Sequence, residues 1–226
     1  MELLLWSAHA ARAVYAAHRL NPKRSLRRAS ERPAFESLVG TDLIAACQLL
    51  MGLGSGMAYK YIPIFCWKEL GMPPVQTYAL VGAFQLIATL NNFVVSRLAR
   101  FTGPMGAAVL YILLAQLALG VVCVSYHTPT IIVALIVRGT LMNSVGGIIG
   151  STLNDHIQTS RRARWNVVMQ FGQVTWSGSA FAGGALADAY GYRSAFSVTV
   201  VLHTLSACCL APLILLVPPE HLRTRK

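Results

Sequence analysis

Acidic side chains are scarce in this chain: eight Asp and Glu stand against 19 Lys and Arg in 226 residues, and charged residues together make up only 12%. A soluble domain of this length carries about a quarter charged residues, so an ordinary soluble enzyme is excluded. Cysteine is equally thin. Cys47, Cys66, Cys123, Cys208 and Cys209 are odd in number and mostly lie in apolar stretches, which excludes a disulfide framework. The six histidines are scattered without paired metal-ligand spacing, so neither a metal nor any other cofactor is implied. No nucleophile motif surrounds the adjacent Asp155 and His156, which fit a solvated loop, and the chain is not expected to be an enzyme. The 18 glycines and 10 prolines follow no short period, which removes collagen-like and low-complexity chains.

What is present is apolar, at 55% of all residues. A bilayer core needs roughly 20 apolar residues per helix, and six windows of that size stand out, at 43–64, 75–95, 105–125, 130–151, 165–187 and 195–217. Of all the Asp, Glu, Lys and Arg residues only Lys60 and Arg138 fall inside them, because an unpaired charge at mid-bilayer costs at least about 2.5 kcal/mol. The expected fold is therefore all-α: a polytopic membrane protein of six transmembrane helices in contact with the lipid bilayer.

The flanking charges orient it. Fifteen basic residues lie on one side, in four groups: Arg12 to Arg32, Arg97 with Arg100, Arg161 to Arg164, and Arg223 to Lys226. The other side has Lys60, Lys68 and Arg193. The positive-inside rule then places both termini in the cytosol, in agreement with an even number of spans. Excess basic charge is thereby accounted for without a nucleic-acid partner. Residues 1–41 are expected to form a cytosolic basic segment, part stub of a truncated span and part linker; 42–217 form the six-helix domain, and 218–226 a cytosolic basic tail. The Arg-rich start also fits a transit peptide, though Glu2 argues against that.

An internal repeat adds to this. Ser96-Arg97-Leu98-Ala99-Arg100-Phe101-Thr102-Gly103 follows the second window, and Gly184-Ala185-Leu186-Ala187-Asp188-Ala189-Tyr190-Gly191 follows the fifth. Leu-Ala and the final Gly coincide. Three spans separate the two segments, and because three is odd the second copy is inserted upside down: two inverted three-helix repeats, as in secondary transporters.

On these residues the chain resembles the major facilitator superfamily, over residues 41–217, and specifically the carboxy-terminal six-helix half of its twelve-helix members. Gly183–Phe196 is similar to that family's outer junction before the last helix. Ser96–Gly103 corresponds to its cytosolic G-x-L-x-D-R-x-G loop, with Ser96 for the first Gly and Arg100 for the Asp. Met51–Phe65 and Arg164–Gly178 are similar to a eukaryotic subgroup of unassigned substrate. The resemblance implies movement of a small-molecule solute by alternating access, with a second six-helix half or a homodimeric partner completing the cavity. Two explanations of the chain's size stand side by side: a truncated polypeptide that starts within a preceding span, or a half-size protein that pairs. A different class stays open too, a non-transporting membrane protein that regulates or assembles with a full transporter.

Candidate site residues follow from polarity within apolar windows. Arg138 lies too deep to snorkel and suits an anionic or carbonyl-bearing cargo, or else bonds structurally to carbonyls of a neighbouring helix. Lys60, just ahead of Pro63, either snorkels to the outer interface or belongs to the outer gate or cargo site. Gln48, Tyr59, Asn143, Ser144, Gln170, Gln173 and Trp176 could each contact cargo or bond between helices. The gating and structural set is Arg97, Arg100, Gly103, Gly184, Asp188, Gly191 and Arg193, with Asp188 and Arg193 expected to pair with each other, to bond loop carbonyls, or to cap helices. The G-x-x-x-G pairs Gly52/Gly56 and Gly146/Gly150 both predict close helix packing.

Overall fold

Backbone polar groups inside a bilayer must be satisfied within their own segment, which favours helices in a chain of long apolar runs. The computed structural model describes residues 42–156, 162–212 and 214, and among them there is no strand. Among the described residues seven helices follow one another: α1 Asp42–Tyr59, α2 Ile62–Lys68, α3 Pro74–Thr102, α4 Pro104–Val124, α5 Thr128–His156, α6 Arg162–Tyr190 and α7 Tyr192–Leu210. The expected segments 1–41 and 218–226 lie outside the described residues, as does Arg161.

Among the described residues, four helices are long and apolar enough to cross a membrane: α3, α4, α5 over Thr128–Ser151, and α7. The two long helices that fall short are diluted by polar and small residues. In α1 these are Gln48, Gly52, Gly54, Ser55 and Gly56, and in α6 Gln170, Gln173, Ser177 and Ser179 with several glycines. Both border the cavity described below, where such residues need not face lipid. The first expected window is broken rather than continuous. Pro63 has no N–H to offer the Tyr59 carbonyl, so the chain turns through Lys60 and Tyr61 and restarts as α2, the Phe65 amide bonding the Tyr61 carbonyl at 2.8 Å.

Gly103 and Gly191 each form a one-residue break between helices, α3 to α4 and α6 to α7. Their backbones nearly coincide, at φ 79°, ψ 154° and φ 85°, ψ 162°, in a region that L side chains rarely adopt.

Helix α1 packs against α6 and α7, and α5 packs against α3 and α4, while α4 also reaches α7. The α1 contacts are close because glycine lets backbones approach. A Cβ on Gly52 would collide with the Gly172 carbonyl and Thr175 Oγ1, and one on Gly56 with the Trp176 carbonyl and Ser179 Oγ. Hydroxyls and an imidazole from the neighbours bond α1 carbonyls: Ser179 Oγ to Gly52 at 3.4 Å, Thr199 Oγ1 to Gly54 at 3.0 Å, Ser206 Oγ to Cys47 at 3.3 Å and His203 Nε2 to Met51 at 3.2 Å. The second G-x-x-x-G pair is a correction: a Cβ on Gly146 or Gly150 would meet nothing within 4 Å. On α5 the close approach falls instead at Gly139, under the Phe84 ring of α3.

Arg193 does not pair with Asp188, contrary to one expectation. Its Nε bonds Glu69 Oε2 at 3.3 Å, and its terminal nitrogen donates to the carbonyls of Val122, Cys123 and Ser125 at 3.1, 3.1 and 2.6 Å. These are the orphan carbonyls at the end of α4, so bonding to carbonyls, the second of the three expectations, is what the geometry provides for Arg193. The guanidinium also lies 4.4 Å from the Tyr126 ring centroid. Asp188 is exposed and makes no ion pair among the described residues. Arg193→Ala is expected to lower unfolding stability by about 2–3 kcal/mol through the lost charged hydrogen bonds. Glu69→Gln should cost under about 1 kcal/mol, because the ion pair is partly exposed. Thermal unfolding in detergent compares them, and equal losses would show that the ion pair, not the carbonyl cap, matters.

Candidate functional site

A cavity of about 500 Å³ opens between α1, α5 and α6. From α1 it is lined by Gln48, Met51, Gly52, Ser55 and Tyr59; from α5 by Arg138, Gly139, Met142, Asn143 and Gly146; from α6 by Gln170, Gly172, Gln173 and Trp176. Helical spacing explains the selection. On α1 Gln48, Gly52, Ser55 and Tyr59 follow one another at three or four residues, with Met51 beside Gly52, and on α5 Arg138, Met142 and Gly146 do the same, so each of these helices turns one stripe to a common space.

Seven of the nine sequence-predicted cargo candidates therefore meet in one place: Arg138, Gln48, Tyr59, Asn143, Gln170, Gln173 and Trp176. Lys60 is not part of the lining. It is exposed, and its ammonium sits 4.4 Å from the ring centroid of Trp176, on the edge of the cavity. Ser144 faces elsewhere: it is buried between α3 and α5, accepting from Asn91 Nδ2 at 3.0 Å and donating to the Thr140 carbonyl at 3.0 Å. Of the gating set, Arg97 and Arg100 are exposed on the last turns of α3 and form no ion pair among the described residues. Gly184 packs under Tyr61, whose hydroxyl donates to the Ala180 carbonyl at 2.6 Å.

Arg138 is 2% exposed, and its Nε finds no hydrogen-bond partner among the described residues. Arg138 makes no bond to a carbonyl of a neighbouring helix among the described residues. It lies ten residues from the start of a 29-residue helix, roughly 15 Å along the axis. Tyr59 across the cavity accepts from Gln85 Nε2 at 3.3 Å and stands edge-on to Phe84, the ring that covers Gly139. Asn143 spends its amide on the Gly139 carbonyl at 2.7 Å, leaving its oxygen available.

Sequence reasoning missed several groups. Met51, Ser55 and Met142 border the cavity, and only the three- and four-residue spacing from Gln48 and Arg138 could have singled them out. His203 is fully buried behind α1, with Nε2 3.2 Å from both the Met51 carbonyl and Ser55 Oγ. The carbonyl can only accept, so Nε2 carries the proton. On α3, Gln85, Thr89, Asn92 and Ser96 form an exposed polar stripe that no apolar window betrays. Among the described residues no cluster of His, Cys, Asp or Glu could hold a metal ion.

Long apolar helices beside an open cavity of mixed polar and apolar lining, with a buried cation on its wall, are the frame of a multi-pass integral membrane protein. The family comparison agrees: the model of the Major Facilitator Superfamily matches residues 44–226, and the chain belongs to that superfamily of membrane transporters. No curated protein and no solved structure matches it significantly.

Proposed function

We propose that the chain is a six-helix half of a secondary transporter that moves a small solute by alternating access, completed by a second six-helix body, either a different half or another copy. The cavity is the observation that carries this. Asn143, Gln170 and Gln173 line it and are exposed, and the exposed stripe Gln85, Thr89, Asn92 and Ser96 lies on the neighbouring α3. Thr89 and Ser96 bond carbonyls of their own helix and Gln85 bonds Tyr59, but the side-chain amides of Asn92, Gln170 and Gln173 would face lipid without partners among the described residues, at several kcal/mol each. A second protein body around a shared aqueous path removes that cost.

Two inverted repeats are supported by the packing. Exchanging α1, α3 and α4 for α5, α6 and α7 turns the α1–α6 contact into α5–α3 and the α4–α5 contact into α7–α1, and leaves α4–α7 unchanged. The matched backbones of Gly103 and Gly191 obey the same exchange. Substrate contact is assigned to Arg138 and the polar residues around it, Gln48, Tyr59, Asn143, Gln170, Gln173 and Trp176, with Lys60 at the rim. The basic flanks put both termini on the cytosolic side.

The test is reconstitution. Uptake of hippurate, a poorly membrane-permeant organic anion, is expected in liposomes only when the chain is paired, as judged by cross-linking in the same preparation. Robust uptake from a demonstrated monomer would overturn the paired assembly, and co-purification with a complete transporter without intrinsic uptake would favour a regulatory role. A Cys placed at Thr159 should be labelled from the cytosolic face only.

A further inference from the structure

We infer that the cargo is an organic anion whose charged oxygen head group is neutralised by Arg138. The inference rests on the cavity being a solute path. The guanidinium cannot lose its proton, it is almost fully buried, and its Nε is without a hydrogen bond among the described residues. A buried cation of this kind normally has a carboxylate beside it, and no described carboxylate stands near. Glu69 is committed to Arg193. Asp188 lies twelve residues beyond Trp176 on α6, about 18 Å along the helix. On the helix of Arg138 itself, Asp155 is seventeen residues further on, about 26 Å away. Asp42 begins α1 thirteen residues before Ser55, about 20 Å off.

The remaining ionisable neighbours do not supply the missing charge. Tyr59 accepts a hydrogen bond from Gln85 and brings no carboxylate, and His203, behind Ser55, is bonded through Nε2. Lys60 adds a second cation, its ammonium over the Trp176 ring. Two positive charges and no described negative one thus border the space. A carbonyl-bearing neutral cargo would hydrogen-bond Arg138 and still leave the charge uncompensated when the cavity closes over it. An anion removes the charge and uses the planar fork, whose paired N–H groups match two oxygens of one head group. The flanking surfaces suit an organic body: Met51, Met142 and the two rings are apolar, and the amides of Gln170 and Gln173 can hold polar substituents.

The sign of the field can be read directly with a cysteine at Ser55, a near-isosteric change on the cavity wall. Reaction rates of Ser55→Cys with the anionic sulfonatoethyl and cationic trimethylammonioethyl methanethiosulfonates are compared in the full chain in native membranes. The Ser55 parent corrects for the five native cysteines, and the ratio between reagents cancels any effect on the thiol itself. Relative to a free thiol, the anionic reagent is expected to gain at least about tenfold, as clefts of one charge sign do for counter-ions. The gain should vanish with Arg138→Gln and persist with Arg138→Lys, which keeps the charge and guards against a folding artefact. Hippurate or phenyl phosphate should slow the reaction, the first result indicating a carboxylate cargo and the second a phosphoryl one, and hippuramide should not. Equal rates for the two reagents, a gain that survives Arg138→Gln, protection by neither anion, or equal protection by hippuramide would each overturn the anion assignment while the cavity stands. Reaction with neither reagent would instead remove the solute path itself, and the anion assignment with it.

Discussion

Arg138→Ala is expected to reach the membrane at the wild-type level and to lose uptake almost completely in the assembled transporter. Insertion should not suffer, because removing a charge from mid-helix eases it by roughly 2.5–3.5 kcal/mol. Folding has little to lose at this position, since Nε has no hydrogen bond to forfeit among the described residues and the guanidinium borders a cavity. What disappears is the one buried cation on the cavity wall among the described residues. Arg138→Lys should restore little, because an ammonium keeps the charge and loses the bidentate geometry. Surface amount by quantitative labelling and hippurate uptake in liposomes separate the outcomes. Normal uptake by Arg138→Ala ends the assignment of Arg138 to the site. A variant that no longer folds or inserts would mean that the arginine is structural after all.

Gly56→Leu should abolish the folded state, whereas Gly150→Ala, the same sequence motif on the counterpart helix, should be neutral or slightly stabilising. At Gly56 even the first added carbon lands on the Trp176 carbonyl and Ser179 Oγ, and a helix backbone cannot step aside as a side chain can. Helix α1 would have to leave α6, losing the Ser179 bond to the Gly52 carbonyl and exposing the glycine seam. The penalty should reach at least about 3 kcal/mol, the upper end of ordinary overpacking. Gly150 has open space around its missing Cβ, and Ala in place of Gly within a helix gains up to about 1 kcal/mol. Size-exclusion profiles with a thermal ramp would show it. Equal tolerance at both positions would mean that α1 and α6 are not in close contact.

Much of this site could be read before any fold was known, for one physical reason. Polar residues are expensive in apolar windows, so those that persist do so for a purpose, and Arg138, Gln48, Tyr59, Asn143, Gln170, Gln173 and Trp176 were conspicuous on that ground. The same criterion is blind to residues that are ordinary in a membrane helix. Met51, Ser55, Met142 and the buried His203 could be placed only by knowing which face of each helix turns inward. It also cannot separate cavity from packing. Ser144 is next to Asn143 in sequence, yet helical geometry sends it to α3 and Asn143 to the cavity.

Composition and charge by themselves determined the helical class and the apolar segments, because each is a one-dimensional consequence of the cost of placing charge and bare backbone in lipid, while the likeness to the superfamily rested on particular motifs such as Gly183–Phe196. The tertiary structure alone decided the contacts between distant segments. It sent Arg193 to Glu69 and the end of α4 rather than to Asp188, five residues away, because a side chain bonds whatever the neighbouring helix end presents. It made one G-x-x-x-G pair a packing seam and left the other open, because a glycine pattern permits close approach while only a facing helix, here α6 against α1, makes use of it.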